Sequence, residues 1–525
     1  MSNRKPINLR RGKIIQGAAL AAVLLTAAYL RLFRISEYMT FLGDEGRDVL
    51  VVKRMIVDHK FTLLGPTASV GGFFLGPVYY YFMMPFLWLW RLDPAGPAVM
   101  VALFGIATVY LVYRLGREMF SDFAGFAGAC LYALSPLVIS YSRSSWNPNI
   151  VPFFATSLAY LLYRITGAAR TGYFFLLGII LGIGVQLHYL FGFLYLTTAV
   201  WLWVIRRRQP FGIRHLSALA GGWVIGISLF LAFELRHSFP NTRSIIRFLL
   251  TGNETGFTAL TFAGNLADVS YRLFGRLVLW LPDRYRLESL AAYQSLAWTG
   301  GTWVLAVIGI GVLGIAANRY LRSGTEGRGA GGQAQMPAAM LFVWFLTVVV
   351  MFGFYRREIY DYYLGIMFTL PFLTTGYLLS RIYIRTKILA VIALTILVIL
   401  NVWGNPFRHQ PNNQLEQTKR IARTALELTG GQSFNFALVA THNSDHAYRY
   451  FFEIWGNTPV TIEPLTADPD RRTVTDQLVV ICEYAECNLM GHSQWEIAGF
   501  GQAEITDQRR VPFVTIYRLV HYAEK

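Results

Sequence analysis

The sequence TFLGDEGRD, residues 40–48, places three carboxylates and an arginine within nine positions. These charged side chains are Asp44, Glu45, Arg47 and Asp48. Two adjacent carboxylates beside an apolar environment repel each other, which raises the pKa of one of them toward that of a useful general base. Asp44 and Glu45 are therefore the candidate catalytic residues, and Arg47 and Asp48 are candidates for the pocket around them. Because a glycine stands on each side of the pair, an ordinary solvated turn is the alternative.

Two further clusters combine arginine with polar or acidic side chains next to apolar runs. The segment FELRHSFPNTR (233–243) contains Glu234, Arg236, His237 and Arg243, and YRREIYDYYL (355–364) contains Arg356, Arg357, Tyr360, Asp361 and Tyr363. An arginine binds phosphate bidentately and keeps its charge at physiological pH. The basic residues of both clusters are candidates for binding a phosphate group, and the two tyrosines and Asp361 are candidates for the pocket. A contact with lipid headgroups is the alternative.

Two other segments offer stacking and hydrogen-bonding groups. YSRSSWNPN (141–149) contains Arg143, Trp146 and Asn147, and GVQLHYLFG (184–192) contains His188. These side chains supply a cation, an aromatic face, an amide and an imidazole, so we count them among the candidate pocket residues. The alternatives are an ordinary connection between two helices and a histidine whose hydrogen bonds are satisfied locally.

The composition requires a membrane around these residues. The chain has 525 residues, of which 54% are hydrophobic and 15% charged, with a mean hydropathy of +0.41. Its repeated apolar runs are long enough to be transmembrane helices. The net charge of +17 is divided between −3 for residues 404–525 and +20 for the remainder. Because the positive charge falls between apolar runs, membrane topology explains it better than binding of nucleic acid.

Six basic clusters define the cytoplasmic side by the positive-inside rule. They are residues 4–13, 113–122, 164–170, 206–215, 319–337 and 381–387. This predicts a cytoplasmic N-terminus (1–13) and about eleven spans that end outside. The predicted spans are 14–33, 95–113, 122–141, 150–163, 172–188, 191–205, 216–235, 293–317, 338–354, 362–380 and 388–403. The aromatic run 73–90 is assigned to the outer face as an interfacial segment. Residues 34–94 and 236–292 then form two outer loops, and the first of them carries Asp44.

The tail, residues 404–525, has the pattern of a small soluble α/β domain on the outer side. Residues 415–430 have helical periodicity, and FNFALVA, QLVVICE and PFVTIYRLV are predicted strands. Cys482 and Cys487 either pair in an oxidising compartment or remain thiols. The Gly-rich segment 323–335 is predicted to be a flexible cytoplasmic loop.

The sequence contains no P-loop, no GxGxxG after a strand, no HExxH and no CxxC. This pattern disfavours ATP-driven transport, dinucleotide chemistry and zinc protease chemistry. An enzyme on the outer face has no ready supply of nucleotide, so its activated substrate would be carried by a lipid.

Several of these features resemble the GT-C superfamily of integral-membrane glycosyltransferases, and most of all its protein O-mannosyltransferases and lipid A aminoarabinose transferases. They are FLGDEGRD after the first span, GPVYYYFMMPFLWL, LVYRLGREMFSDFAGFAGACLYALSPLVISYSR, RREIYDYYLGIMFTLP and the outer C-terminal domain. The resemblance covers about residues 14–400. It implies a GT-C-like transmembrane domain (14–403) followed by an extracytoplasmic α/β domain (404–525), in the cytoplasmic membrane.

The resemblance implies that Asp44 is the general base of an inverting sugar transfer, with Glu45 beside it. The donor would be a polyprenyl-phosphate sugar, and the acceptor a hydroxyl of a lipid, a glycan or a protein. No cofactor is assigned, and dependence on a divalent metal is left open. A transporter or flippase for a lipid-linked or anionic solute is the main alternative. An envelope protein that only binds a partner is a third possibility, but it leaves Asp44 and Glu45 unexplained.

Overall fold

The structure, a computed structural model, describes residues 5–68, 72–251, 257–281, 290–322, 335–441 and 443–522. Most of the predicted flexible loop (323–334) and the first four residues of the basic N-terminus lie outside these ranges. The described chain is mainly helical and carries one four-stranded sheet near its C-terminus. This confirms the predicted fold class of a polytopic helical protein with a small α/β domain.

The helices follow the apolar runs of the sequence, because each run has the length and composition of a helix and few residues that interrupt it. They are Lys5–Leu32, Ile35–Tyr38, Gly43–Val57, Val78–Leu89, Ala95–Met119, Asp122–Leu134, Pro136–Tyr141, Val151–Gly167, Thr171–Leu187, Phe193–Ile205, Ile213–Gly226, Ser228–Arg236, Pro240–Thr251, Ala259–Gly275, Ala292–Arg322, Gln335–Gly353, Leu370–Arg385, Lys387–Trp403, Gln414–Leu428, His446–Ile454 and Trp495–Ala498, with 3-10 turns at Asn147–Ile150, Tyr189–Gly192, Asp361–Met367 and Pro406–Arg408.

Each of the eleven predicted spans overlaps one of these helices or two consecutive ones. Five described helices are long and apolar enough to cross a membrane, and the number is seven if each of two bent pairs forms one span. Other apolar helices have only 10–17 residues, so the total of eleven spans stays a prediction. Within the aromatic run 73–90, the helix Val78–Leu89 has 12 residues. At 1.5 Å per residue it is about 18 Å long, which is too short to cross a hydrocarbon core of about 30 Å alone.

The chain divides into two compact units. The first comprises residues 1–33, 62–81 and 99–410 and contains most of the apolar helices. Glycines let some of these helices approach closely, as small residues do in membrane proteins. A Cβ atom at Gly222 of Ile213–Gly226 would lie closer than 3.0 Å to the carbonyl oxygen of Phe175 in Thr171–Leu187.

The second unit joins residues 34–61 and 82–98 to the C-terminal part, 411–525. Its sheet has the order β1-β2-β4-β3, formed by Asn435–Val439 (β1), Gln477–Cys482 (β2), Ala503–Val511 (β3) and Val514–His521 (β4). β1 and β2 are parallel, and the other pairs are antiparallel. The core against the sheet includes Val439, Leu478, Val480, Phe500 and Leu519. The predicted domain boundary at residue 404 remains a prediction, since this unit also includes part of the first outer loop.

The three predicted strands and the predicted helix of the tail are all present. The sequence did not predict β3, because AEITDQRRV is polar and nearly all of its residues are exposed at the edge of the sheet. Cys482 and Cys487 form a disulfide, which decides between the two alternatives left open above.

Candidate active site

The Asp-Glu pair lies in the first turn of the helix Gly43–Val57 and not in a loop turn. The two flanking glycines have a packing role in the second unit. A Cβ atom at Gly46 would lie closer than 3.0 Å to the backbone N and Cα of Ala447, and one at Gly43 would lie closer than 3.0 Å to Ser444. The glycines therefore let the start of this helix rest directly on the backbone around Ser444 and Ala447.

Glu45 is the buried member of the pair, with 6% of its surface exposed. Its Oε2 accepts a hydrogen bond from the backbone N–H of Leu42 at 3.1 Å, so the carboxylate caps the helix that carries it. Burial raises the pKa of Glu45 to about 7, and the nearby carboxylates of Asp44 and Asp48 add to this rise. The sequence predicted that one of the two neighbours would have a raised pKa, and burial selects Glu45 for that role.

Asp44 is the accessible member, with 54% of its side chain exposed. Arg47 donates from one terminal nitrogen to Asp44 Oδ1 at 2.9 Å, and from the other to Asp48 Oδ1 at 2.8 Å. Asp48 itself is fully buried. Arg47 thus fixes the position of the Asp44 carboxylate, while the Asp44 side chain stays open to a hydroxyl that approaches from solvent.

Sequence analysis did not single out the segment 443–446. This segment also contacts the start of the helix Gly43–Val57, called the motif helix below because it carries the Asp-Glu pair. The side-chain oxygen Oδ1 of Asn443 accepts a hydrogen bond from the Gly43 N–H at 2.9 Å, and Ser444 Oγ lies 2.8 Å from His446 Nδ1. Burial lowers the pKa of His446, although Asp445 opposes that shift, and the ring feels the charges of Asp44 and Arg47. The signal was present in the sequence, because these polar residues follow a predicted strand at its carboxyl end, where parallel sheets place functional side chains.

In the first unit, the structure gives Asp361 two arginine partners that sequence analysis missed. The carboxylate lies 2.7 Å from Arg272 and 2.8 Å from Arg276. Arg272 lies in the last turn of the helix Ala259–Gly275 and Arg276 follows its end, both in the second predicted outer loop. Their side chains are only 17% and 20% exposed. Arg356 and Arg357 are exposed. Neighbouring sequence could not reveal these two ion pairs, since each arginine is more than eighty residues away from Asp361 in the chain.

The 141–149, 188 and 360–363 segments come together as an aromatic cluster. The Trp146 ring is 4.4 Å from Tyr362, and the His188 ring is 5.3 Å from Tyr363. Tyr360 packs against Tyr363 at 5.6 Å. Candidates from these separate segments are therefore neighbours in the structure, and two of their polar groups bond to backbone atoms. Asn147 donates to the carbonyl of Leu187 at 2.6 Å, and His188 Nδ1 accepts from the Leu190 N–H at 3.2 Å.

One predicted pocket residue, Arg143, and one glutamate next to the predicted phosphate-binding residues, Glu234, bond to backbone groups. Arg143 is buried and donates to the carbonyl oxygens of Leu30 and Phe33 at 2.7 and 2.6 Å. Glu234 is buried and accepts hydrogen bonds from the backbone N–H groups of Asn241 and Thr242, which caps the helix Pro240–Thr251. The basic residues near Glu234 are all exposed; they are Arg236, His237 and Arg243.

Comparison with known proteins identifies the fold of this chain. The profile of the dolichyl-phosphate-mannose-protein mannosyltransferase family matches residues 76–233. The structure superposes on ArnT from Cupriavidus metallidurans bound to undecaprenyl phosphate with a TM-score of 0.60, at 12% identity, over 95% of this chain and 97% of that one. The chain has the GT-C fold.

Other matches agree with the GT-C fold without adding to the argument. ArnT in its apo state matches with a TM-score of 0.50 and 13% identity, over 97% of this chain and 98% of the other. An oligosaccharyltransferase from Archaeoglobus fulgidus, tethered to an acceptor peptide, matches with a TM-score of 0.49 and 14% identity over 89% and 69%. No curated protein matches the sequence. The resemblance to GT-C glycosyltransferases is thus confirmed.

The family match contains part of the aromatic cluster but not the Asp-Glu pair. Arg143, Trp146, Asn147 and His188 lie within residues 76–233, whereas Asp44 and Glu45 precede them. The role of the pair in this GT-C chain is therefore argued from its own geometry. Among the described residues, no group of three or more His, Cys, Asp or Glu side chains has the arrangement of a metal site.

The buried Glu45 leads to a prediction about stability. Its pKa of about 7 in the folded protein exceeds the ordinary value of 4.5. The folded state therefore binds the Glu45 proton more tightly than the unfolded state does. The resulting contribution to the free energy of unfolding is complete below about pH 4.5 and disappears as the pH rises through about 7. The shift corresponds to about 3 kcal/mol. We expect the Tm of the detergent-solubilised protein to fall between about pH 5 and pH 8, and to fall much less in Glu45→Gln.

The matched control is Glu416→Gln, which alters a glutamate in the first turn of another helix of the same unit. The Glu416 side chain is 68% exposed, so this variant should keep the wild-type dependence of Tm on pH. Equal slopes for Glu45→Gln and the wild type would show that the Glu45 proton is not coupled to folding.

Proposed function

We propose that this chain transfers a sugar from a polyprenyl-phosphate donor to an acceptor hydroxyl on the outer face of the cytoplasmic membrane. The observation that carries the proposal is the position of Asp44 in a GT-C fold. It is an exposed carboxylate, held by Arg47, at the start of a helix whose other acid, Glu45, is buried. The undecaprenyl phosphate in the matched ArnT structure supports a lipid-phosphate donor.

The reaction needs one base and one site of positive charge. Asp44 takes the proton of the acceptor hydroxyl as that oxygen attacks the anomeric carbon. The bond between the anomeric carbon and the phosphate oxygen breaks, and its electron pair leaves with the lipid phosphate. A single displacement through an oxocarbenium-like transition state inverts the configuration. Glu45 is 6% exposed and its Oε2 already accepts the Leu42 N–H, so an acceptor hydroxyl reaches the exposed Asp44 more readily.

The positive charge for the leaving phosphate has two sources among the candidates. Arg236, His237, Arg243, Arg356 and Arg357 are exposed, so water and salt weaken their attraction for an anion. Arg272 and Arg276 are mostly buried and are held in place by Asp361. Fixed donors in a partly dry site stabilise developing charge more strongly. We therefore place the phosphate at Arg272 and Arg276, and keep the exposed residues as the competing site.

A variant pair distinguishes the two sites. We expect Arg272→Gln with Arg276→Gln to lower kcat/KM for the donor by about 10²-fold, because two fixed cations are lost. The charge-matched pair Arg356→Gln with Arg357→Gln should stay within about threefold of the wild type, since exposed charges contribute little. Steady-state kinetics with varied donor measures both. The opposite ranking, in two variants with wild-type Tm, would assign the phosphate to Arg356 and Arg357.

An apolar cavity in the first unit has a size and character that suit the lipid part of the donor. Its volume is about 390 Å³, and its wall includes Phe73, Leu75, Tyr189, Trp223 and Phe230. It lies where the helices Ile213–Gly226 and Ser228–Arg236 meet at a bend of 74°. A short stretch of isoprenyl chain matches both the size and the apolar character of this cavity.

The orientation is part of the proposal. The basic clusters assign the N-terminus to the cytoplasm and the C-terminal domain to the outside. The Cys482–Cys487 disulfide supports that side for the domain, since disulfides persist in oxidising compartments and are rare in the cytosol.

Transfer of radiolabel tests the function directly. The purified full-length protein is incubated with polyprenyl-phosphate hexoses and pentoses and with membrane extract as the source of acceptor. The label is then counted in the lipid, glycan and protein fractions, which identifies the sugar and the acceptor class together. Labelled acceptor supports the proposal. A donor that crosses the bilayer of proteoliposomes without any transfer of label would instead identify a flippase.

A further inference from the structure

A second cavity, in the first unit, has no part in the proposed sugar transfer. Its volume is about 460 Å³, and it is lined by the ends of the helices Ala292–Arg322 and Leu370–Arg385 together with Thr386 and Leu389. Three of the lining residues are arginines: Arg319, Arg381 and Arg385. None of the described residues that line the cavity is acidic. Three positive charges therefore share one concave site.

The arginines come from two facing helices. Arg381 and Arg385 are four residues apart on Leu370–Arg385, so their like charges repel each other on one helix face. Arg319, on Ala292–Arg322, adds a third charge from a second helix. An anion in the cavity would relieve this repulsion, and a phosphate can receive hydrogen bonds from more than one guanidinium at once.

Apart from Gln335, Tyr377 and Thr386, the rest of the wall is apolar. It includes Val312, Ile315, Leu378, Ile382 and Leu389. Ile315 and Leu389 remain 55% and 54% exposed, which is ordinary for side chains that contact lipid tails. The cavity thus combines a basic pole with an apolar surface, and a free phosphate ion would use only the first of them.

The charge pattern of the sequence assigns this cavity to the cytoplasmic side, since both arginine-bearing helix ends belong to basic clusters. The lipids of that leaflet include anionic phospholipids that attract basic segments. We propose that Arg319, Arg381 and Arg385 bind the phosphate headgroup of an anionic phospholipid, whose acyl chain lies along Ile315 and Leu389. This site is independent of the proposed catalytic function.

Scattered arginines at the cytoplasmic ends of helices are common and bind lipid diffusely. The test therefore compares two triple variants, each of which loses three positive charges. The site variant is Arg319→Gln, Arg381→Gln and Arg385→Gln in the full-length protein. The control variant is Arg206→Gln, Arg207→Gln and Arg214→Gln, which removes three exposed arginines from the same predicted side. Native mass spectrometry counts phosphatidylglycerol bound to each, with phosphatidylcholine as the neutral lipid.

We expect the wild type and the control to retain one phosphatidylglycerol in preference to phosphatidylcholine. The site variant should bind it at least about tenfold more weakly, because several charge-assisted hydrogen bonds are lost together. An equal loss in both variants would overturn the proposal in favour of diffuse attraction. Displacement of the lipid by millimolar inorganic phosphate would overturn the lipid assignment and identify a simple anion site.

A second measurement tests the proposal if the triple variant does not fold. The single change Arg381→Glu reverses one charge in the cavity and leaves its apolar wall intact. Phosphatidylglycerol should raise the Tm of the wild type, since a ligand that binds only the folded state stabilises it. The increase should be largely lost in Arg381→Glu, and an undiminished increase would contradict the proposal.

Discussion

Asp44→Asn is expected to lower sugar transfer by about 10²–10⁴-fold, the range typical for loss of a general base. The amide cannot accept the proton of the acceptor hydroxyl, and it leaves the geometry of the helix Gly43–Val57 nearly unchanged. The Asp44 side chain is 54% exposed, and Arg47 donates a hydrogen bond to its Oδ1 at 2.9 Å, so the Asp44→Asn protein should fold and insert normally. Transfer of radiolabel from the donor measures the loss.

Glu45→Gln is the matched control, because it removes the adjacent charge in the same turn. Its amide oxygen can still accept the hydrogen bond from the Leu42 N–H that the carboxylate accepts at 3.1 Å. We therefore expect Glu45→Gln to keep most of the activity near neutral pH, where Glu45 is already half protonated at a pKa of about 7. If Asp44→Asn turned over within a few-fold of wild type while Glu45→Gln lost activity, the assignment of the base would move to Glu45.

Gly46→Ala is expected to have an effect of similar size by a different route. The added Cβ would lie closer than 3.0 Å to the backbone N and Cα of Ala447. Backbone atoms cannot rotate away, so the start of the motif helix must shift within its own unit. Overpacking of this kind costs about 1–3 kcal/mol, and a displacement of about 1 Å at a reacting group can reduce the rate about 10²-fold. Tm and kcat/KM should therefore both fall.

The control for this substitution is Gly172→Ala, which also changes a glycine near the start of a helix. No other atom lies within 4 Å of the Cβ position at Gly172, and alanine favours helix more than glycine does. This variant should match or exceed the wild-type Tm and keep full activity. A Gly46→Ala protein with normal Tm and normal kcat/KM would show that the close approach to Ala447 is not needed to hold Asp44.

The sequence was sufficient where the physical cause is local. Apolar runs of membrane length predicted the helices, and an alternating or continuous apolar pattern predicted three of the four strands. The exposed strand β3 was missed, because an edge strand that buries almost nothing has no apolar pattern to detect. The motif TFLGDEGRD identified the Asp-Glu pair, since two neighbouring acids beside a span are unusual in themselves.

The tertiary structure alone decided how each charged group is used. It buried Glu45 and left Asp44 exposed, although the two are adjacent in sequence and chemically alike. It gave Asp361 the partners Arg272 and Arg276, and it placed Arg143 on backbone carbonyls instead of in a pocket. The reason is physical: burial and pairing depend on which segments meet in space, and residues hundreds of positions apart meet here. Local composition determined that a helix forms, whereas packing between distant segments determined which of its side chains remain available for chemistry.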